Sequence, residues 1–201
     1  GLGSSIFSVS QINDAGAIVG SFHIAGDTTE EREILHAFVW NMQEGMVELT
    51  ESNLIMSHAR AINSQGLIAG SVEALVEGGK GVLWNNSREL MDLGIEGWPI
   101  DMNDSGLIIG GFQDPLTDEH RSFLWREEIG PVVLEDYLAT DSQWDVFYLG
   151  GVNKAGWIAG TGGYNGDESC LIIMTPIPEP ASIFLSMIGG LLMVRKGRVG
   201  S

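Results

Sequence analysis

A nine-residue pattern that occurs four times constrains the fold of this chain more than any other feature. The pattern is apolar-Asn-x-x-Gly-x-Ile-x-Gly, and its copies span residues 12–20, 62–70, 102–110 and 152–160. Successive asparagines lie 50, 40 and 50 residues apart. Recurrence at this period indicates a repeat architecture, in which each unit buries its apolar face against its neighbour. The repeated turn residues are Asn13, Gly16, Asn63, Gly66, Asn103, Gly106, Asn153 and Gly156.

Each Asn-x-x-Gly tetrad predicts a tight turn between two strands. The asparagine side chain can accept a hydrogen bond from the backbone two residues on, and the glycine can adopt a positive φ. Apolar residues flank the tetrad on both sides, so each copy predicts a β-hairpin.

Two further strands are predicted in each repeat. The third is an apolar run that ends at Trp40, Trp84, Trp125 or Met174, and a fourth follows a Gly or Asn turn in the first three repeats. Four short strands in 40–50 residues fit a blade of a β-propeller, with a β-solenoid as the alternative. We therefore expect an all-β domain over residues 1–176. Leu2-Gly3 resembles the end of a fourth strand, so we expect this domain to be truncated at its N-terminus.

Aromatic and basic residues recur at fixed places in the repeats. Core packing is the favoured interpretation for the tryptophans that end the third strands, and a sugar-stacking platform is the alternative. Three other tryptophans fall outside that register and are better candidates for exposed stacking: Trp98, Trp144 and Trp157. Basic residues recur before the third strands and predict a structural contact repeated in each unit: His36, Lys80 and Arg121.

The charge of the chain excludes some functions. With 10 basic and 27 acidic residues among 201, the net charge is −17, which argues against binding to nucleic acid. A single cysteine, Cys170, can form neither an internal disulfide nor a thiolate metal site.

No catalytic motif was found, so we expect no enzymatic activity and no catalytic residues. Asp114, Asp118 and Glu119 are weak candidates for calcium binding, because carboxylates are hard oxygen ligands. They lack the Asp-x-Asp-x-Asp-Gly order, and a solvated acidic surface is the favoured interpretation. No other cofactor is predicted.

The last 25 residues differ in character from the repeats. Pro178-Glu179-Pro180 precedes an uncharged run over 181–194, and Arg195, Lys196 and Arg198 follow it. As a helix, the run would span roughly 21 Å, less than the ~30 Å of a bilayer core. Its length favours a buried helix, whereas the cations that follow it favour a membrane helix with residues 1–176 outside. Either interpretation predicts one hydrophobic C-terminal helix.

This tail resembles the PEP-CTERM sorting signal of Gram-negative, often biofilm-forming bacteria. The resemblance covers residues 177–201 and implies recognition at Pro178, Glu179 and Pro180 by a membrane-embedded exosortase. It also implies delivery to the cell surface or the exopolysaccharide matrix, with transient or retained anchoring in the inner membrane through residues 181–194. The repeats resemble the HAF-type extracellular repeat, named for the triplet that stands here as His36-Ala37-Phe38. Later repeats replace the triplet but keep the turn pattern.

These features together predict an exported surface or matrix protein that acts in binding, adhesion or structure, with exopolysaccharide as a candidate partner. The alternative is a secreted carbohydrate-active enzyme on a propeller scaffold, which would use two carboxylates.

Overall fold

The fold is known from a computed structural model, which describes residues 5–24, 34–49, 54–74, 79–137, 144–164, 167–176 and 191–193. Within these ranges the chain is all-β, as predicted, and contains no α-helix. Its one helical turn is a 3₁₀ turn at Leu134–Tyr137.

The strands form four antiparallel sheets of four strands, each in simple sequence order. Sheet 1 contains β1 (Ser5–Ile12), β2 (Ile18–Ile24), β3 (His36–Asn41) and β4 (Gly45–Glu48). Sheet 2 contains β5 (Leu54–Ile62), β6 (Ile68–Ala74), β7 (Gly79–Trp84) and β8 (Leu90–Asp92). Sheet 3 contains β9 (Gly97–Met102), β10 (Ile108–Gln113), β11 (His120–Arg126) and β12 (Gly130–Val133). Sheet 4 contains β13 (Trp144–Val152), β14 (Ile158–Tyr164), β15 (Asp167–Pro176) and β16 (Leu191–Met193).

Each Asn-x-x-Gly tetrad lies between the first and second strands of its sheet. In the first copy, Asn13 Oδ1 accepts hydrogen bonds from the backbone N–H groups of Ala15 (3.1 Å) and Ala17 (2.9 Å). Gly16 closes the turn with a φ of 78°. The other three tetrads repeat both hydrogen bonds and the positive φ. The side chain thus supplies an acceptor for backbone donors that the turn leaves without a strand partner.

The first strand of every sheet carries a β-bulge at the same position, three residues before the asparagine. The residues that lack a partner in the register are Ser10, Arg60, Ile100 and Gly150. A bulge adds one residue to one strand and bends it locally. The sequence pattern did not indicate this feature.

The core consists of three apolar clusters, each between consecutive sheets. Val19 and Val39 of sheet 1 pack with Val82 and Trp84 of sheet 2. Sheets 2 and 3 enclose the second cluster, and sheets 3 and 4 enclose the third. Within the described residues, no such cluster joins sheet 4 to sheet 1.

The predicted C-terminal helix is wrong for the residues of the tail that the structure describes. Leu191–Met193 form strand β16, which pairs antiparallel with β15 and gives sheet 4 its fourth strand. Two consecutive glycines, Gly189 and Gly190, precede this segment. Because each glycine costs about 1 kcal/mol in a helix interior, extended pairing along β15 is the better solution there. Residues 177–190 and 194–201 lie outside the described part.

Candidate ligand-binding groove

The four Asn-x-x-Gly turns meet around one polar cavity of about 300 Å³. Asn13 Nδ2 donates to the carbonyl oxygen of Asn63 (3.0 Å), and Asn103 Nδ2 donates in the same way to that of Asn153 (3.0 Å). The backbone N–H of Ser64 donates to Asp104 Oδ1 (2.9 Å), which links the second turn to the third.

Lys154 connects the fourth turn to the third and to the first. Its ammonium lies 3.3 Å from Asp104 Oδ2 and 3.5 Å from Asp14 Oδ2. The hydrogen bond and the charge of Asp104 raise the pKa of Lys154, and the Ser64 N–H lowers the pKa of Asp104. All three charged groups are solvent-accessible, so these ion pairs contribute little stability individually.

Two polar side chains tie the strands together beneath the turns. Gln11 Oε1 accepts from the backbone of Ile62 (2.5 Å), and Asp101 Oδ2 accepts from the backbone of Val152 (2.8 Å). Gln11 Nε2 also donates to Asp101 Oδ1 (3.2 Å). Gln11 and Asp101 both lie two residues before the asparagine of their repeat, and this position is Ala61 in the second repeat and Gly151 in the fourth. Because these polar groups bond to one another and to the backbone, the turn cluster is a structural network.

A larger groove of about 470 Å³ lies between sheets 2 and 3. Its lining includes His58 and Arg60 from β5, Trp98 from β9, and the carboxylates of Glu73 and Glu96. Ligand sites typically combine an apolar or aromatic surface with a few polar groups that fix orientation. The groove has both components, whereas no aromatic residue lines the turn cavity and most of its polar groups bond to one another.

Trp98 is the aromatic surface of this groove, and 39% of it is exposed. Its ring centroid lies 5.8 Å from that of His120, which lies 4.5 Å from that of exposed Tyr148 on sheet 4. Neither ring nitrogen of His120 has a hydrogen-bond partner among the described residues. The three rings form an aromatic row that leads from the groove over sheet 3, from β9 past β10 to β11, and on to sheet 4.

The surroundings of the groove histidine favour its neutral form. Burial lowers the pKa of His58, and the positive charge of Arg60 lowers it further. A neutral imidazole can both donate and accept a hydrogen bond, which suits a ligand with hydroxyl groups.

Repeat alignment could have found the groove residues, although sequence analysis singled out only Trp98. Ser8, His58, Trp98 and Tyr148 all lie five residues before the asparagine of their repeat. The four residues at this position share no chemical type, so no sequence motif marks it.

The other tryptophans divide as their register predicted, with one exception. Trp84 and Trp125 are buried in the core and Trp40 is half-buried, which confirms the packing interpretation. Trp157, like Trp98, is exposed. Trp144 is the exception, because it is half-buried with its ring centroid 4.6 Å from that of Tyr164.

The basic residues at the entrance of the third strands each contact an acidic residue, which is the recurring structural contact expected. His36 Nδ1 lies 2.7 Å from Glu48 and Lys80 Nζ lies 3.7 Å from Asp92, in each case from β3 or β7 to the neighbouring fourth strand. Arg121 Nη2 lies 2.7 Å from Asp136 in the 3₁₀ turn.

Sheet 4 replaces the basic residue with Cys170. This thiol is buried and donates to the Gly162 carbonyl oxygen (3.3 Å), so it has a structural contact of its own.

The calcium candidates lie in the connection between β10 and β11. Asp114 and Asp118 stabilise this turn through local hydrogen bonds, and Asp114 lies 3.6 Å from Arg121. Within the part of the chain that the structure describes, no three potential ligands are grouped as a metal site would require.

The sorting-signal residues fall outside the described residues: Pro178, Glu179, Pro180, Arg195, Lys196 and Arg198. A search of the described segments for a helix with the length and apolarity needed to cross a membrane finds none.

Comparison of the chain with protein-family models, with curated proteins and with solved structures finds no match.

Proposed function

We propose that this chain is an exported repeat protein of the bacterial cell surface or extracellular matrix, and that it binds polysaccharide through the groove between sheets 2 and 3. The observation that carries the proposal is exposed Trp98, at the start of an aromatic row in a groove lined by hydrogen-bonding side chains. Sugar rings present flat C–H faces to such aromatic rings and hydroxyl groups to polar neighbours.

The charge of the molecule favours a neutral glycan. A net charge of −17 repels polyanions, including uronic-acid polymers, at ordinary ionic strength. The row of Trp98, His120 and Tyr148 offers more than one ring, which suits a chain of sugars rather than a single one.

Binding to an oligosaccharide too short to bridge two proteins tests the groove. We expect Trp98→Ala to weaken binding about tenfold, which corresponds to ~1.4 kcal/mol of lost aromatic contact. Trp157→Ala is the matched control, because Trp157 is exposed but lies outside the groove. Calorimetric titration of a neutral glycan panel measures both. Equal affinity in the wild type and the Trp98 variant would reject the groove as the site.

A secreted carbohydrate-active enzyme is the second candidate function, because Glu73 and Glu96 line the same groove. Glycoside hydrolysis requires two carboxylates on either side of the bond that breaks. If the chain releases reducing sugar and either Glu73→Gln or Glu96→Gln abolishes release, the enzymatic function replaces simple binding.

The export route is proposed from the tail. Pro178-Glu179-Pro180 would be read by an exosortase-type enzyme, with the apolar segment 181–194 at the inner membrane during processing. Replacement of the tripeptide by alanines in the native host should leave the protein unprocessed in the membrane fraction. Unchanged processing and surface delivery would contradict this assignment.

We further propose that the sheets are blades of a β-propeller-like arrangement. The four turns that meet around one cavity support this, as does the packing of each first strand against the preceding sheet. A β-solenoid would instead stack its units along an axis.

A further inference from the structure

Every interface between consecutive sheets is built from two different faces. We call the face that packs on the following sheet the downstream face, and the face that packs on the preceding sheet the upstream face. In sheets 1–3 the downstream face contains Val19, Ala69 and Ile109 at one repeat position, all fully buried. In sheets 2–4 the upstream face contains Ala59, Pro99 and Leu149 at another, also buried.

Among the described residues, the downstream face of sheet 4 is exposed at three positions, although Ile173 on the same face is half-buried. Ala159, at the position of Val19 and Ile109, is exposed. Leu171 is 51% exposed, although its counterparts Ala37 and Ser122 are fully buried. On the same face, Trp157 is also 51% exposed, and its counterpart in sheet 3 packs in the core.

The upstream face of sheet 1 is uncovered along β1, although Phe22 and Phe38 on the same face are buried. Val9 is 64% exposed, and its counterparts Ala59 and Leu149 are buried. Ile12 is 61% exposed, whereas its counterpart Ile62 belongs to the cluster between sheets 1 and 2. Phe7 extends this apolar surface along β1.

The two uncovered faces are the two halves of the interface that the chain forms three times internally. Lys154 and Asp14 bring the first and fourth turns within 3.5 Å of each other, yet both faces remain exposed. Large exposed apolar patches on a folded protein mark interaction sites.

We propose that these faces pack against each other between two copies of this chain, the downstream face of sheet 4 on the upstream face of sheet 1. The contact is head-to-tail, so one copy leaves a free face of each kind, and association continues until the ends meet. A symmetric alternative would place Val9 against Val9 of the other copy. The chain nowhere packs two upstream faces together, whereas it builds the head-to-tail interface three times.

Sedimentation of the full chain over a concentration series tests the proposal. We expect the wild type to form dimers or larger species as the concentration rises. Val9→Asp and Leu171→Asp each block one face, and each should be monomeric alone. Mixed together, the two variants retain one intact pair of faces and should form a one-to-one dimer that grows no further. Leu116→Asp is the matched control, because Leu116 is 93% exposed in the β10–β11 connection and should leave association unchanged.

Restored association in the mixture shows that both variants are folded. Ile12→Glu and Trp157→Glu, which change the same two faces, provide a second pair of variants for the same test. If the wild type is monomeric at all concentrations, the proposal is overturned. The two faces would then be surfaces for a further repeat of a longer polypeptide. Association that persists in both single variants would also overturn it, because it would arise from a symmetric contact or from the apolar tail.

Discussion

At the scale of single residues, the two glycines of each repeat meet different physical requirements. Gly16 ends its turn with a positive φ, and a Cβ added to it would contact nothing within 4 Å. Gly70 closes its repeat in β6, where an added Cβ would lie 1.9 Å from the carbonyl oxygen of His58. The first glycine is thus required by backbone conformation, and the second by the close approach of the bulged first strand.

Alanine substitutions separate these two requirements. Gly16→Ala should destabilise the fold by ~1–2 kcal/mol, the usual cost of a left-handed conformation for a residue with a Cβ. Gly70→Ala should cost about 3 kcal/mol or more, because the backbone of β5 must move. Urea unfolding measures both free energies. Equal costs would contradict the close approach of the two strands.

The pH dependence of stability reports on His58. Its pKa is lowered in the folded state, so the unfolded state binds the proton more readily around and below pH 6.5. The wild type should therefore lose stability relative to His58→Gln as the pH falls below 6.5. The difference in unfolding free energy between the two proteins, measured from pH 7 to 5, checks this. A difference that does not change with pH would show that the imidazole titrates normally.

At the scale of the structural elements, sequence patterns predicted the hairpins but not the bulges. The tetrads indicated their turns because asparagine and glycine meet specific backbone needs. The bulge residues Ser10, Arg60, Ile100 and Gly150 share no chemistry, since a bulge requires only an extra backbone unit.

The turn between β7 and β8, which the sequence predicted as an Asn turn, follows the repeat turns in geometry but not in its last residue. Asn85 accepts the same two backbone hydrogen bonds as the asparagines of the repeats, from Ser87 and Glu89. Arg88 occupies the glycine position with a φ of 64°. The Asn-x-x-Gly pattern therefore does not include this turn, which was predicted from its two asparagines instead.

Asp101 should be costly to remove from the turn cluster. Asp101→Ala leaves the backbone N–H of Val152 without its acceptor, and the loss of a partner for a sequestered donor costs ~1–3 kcal/mol. Asp92→Ala is the control, because Asp92 also accepts a backbone hydrogen bond, from Gly94, but this bond and its ion pair with Lys80 are exposed. Its removal should therefore cost less, about 1 kcal/mol. Thermal and urea unfolding of both variants measure the difference. Similar costs would contradict a structural role for the network.

At the scale of the whole molecule, the four sheets differ in how much of their surface is covered. Among the residues that the structure describes, apolar clusters cover both faces of sheets 2 and 3 but one face each of sheets 1 and 4. In repeat architectures, stability is the sum of the units and their interfaces, so terminal units open more readily.

Hydrogen exchange should reveal this gradient. In Val9→Asp, which we expect to be monomeric, amides of β6 and β10 should exchange roughly tenfold more slowly than those of β2 and β14. Exchange measured by mass spectrometry on peptides from each sheet provides the comparison. Uniform protection would indicate that sheets 1 and 4 close on each other in solution.

The order of the sheets along the chain could be predicted, but their uncovered faces could not. Repeat spacing and turn chemistry are local, so the sequence contains both directly. Exposure of Val9 or Leu171 depends on which sheet is adjacent in space. Similarly, the apolar run before Arg195 suits either a helix or a strand, and pairing along β15 decides for Leu191–Met193.

Beneath the turns, the residue two positions before the asparagine alternates between polar and small, so neighbouring repeats are not equivalent. Odd-numbered repeats place Gln11 or Asp101 where even-numbered repeats have Ala61 or Gly151, and the two polar side chains bond across a separation of 90 residues. Inserting or removing a single repeat would break this alternation, because two successive repeats would then both have a polar side chain, or both a small one, at this position. The smallest module that protein engineering or gene duplication can copy without breaking this network is therefore a pair of repeats.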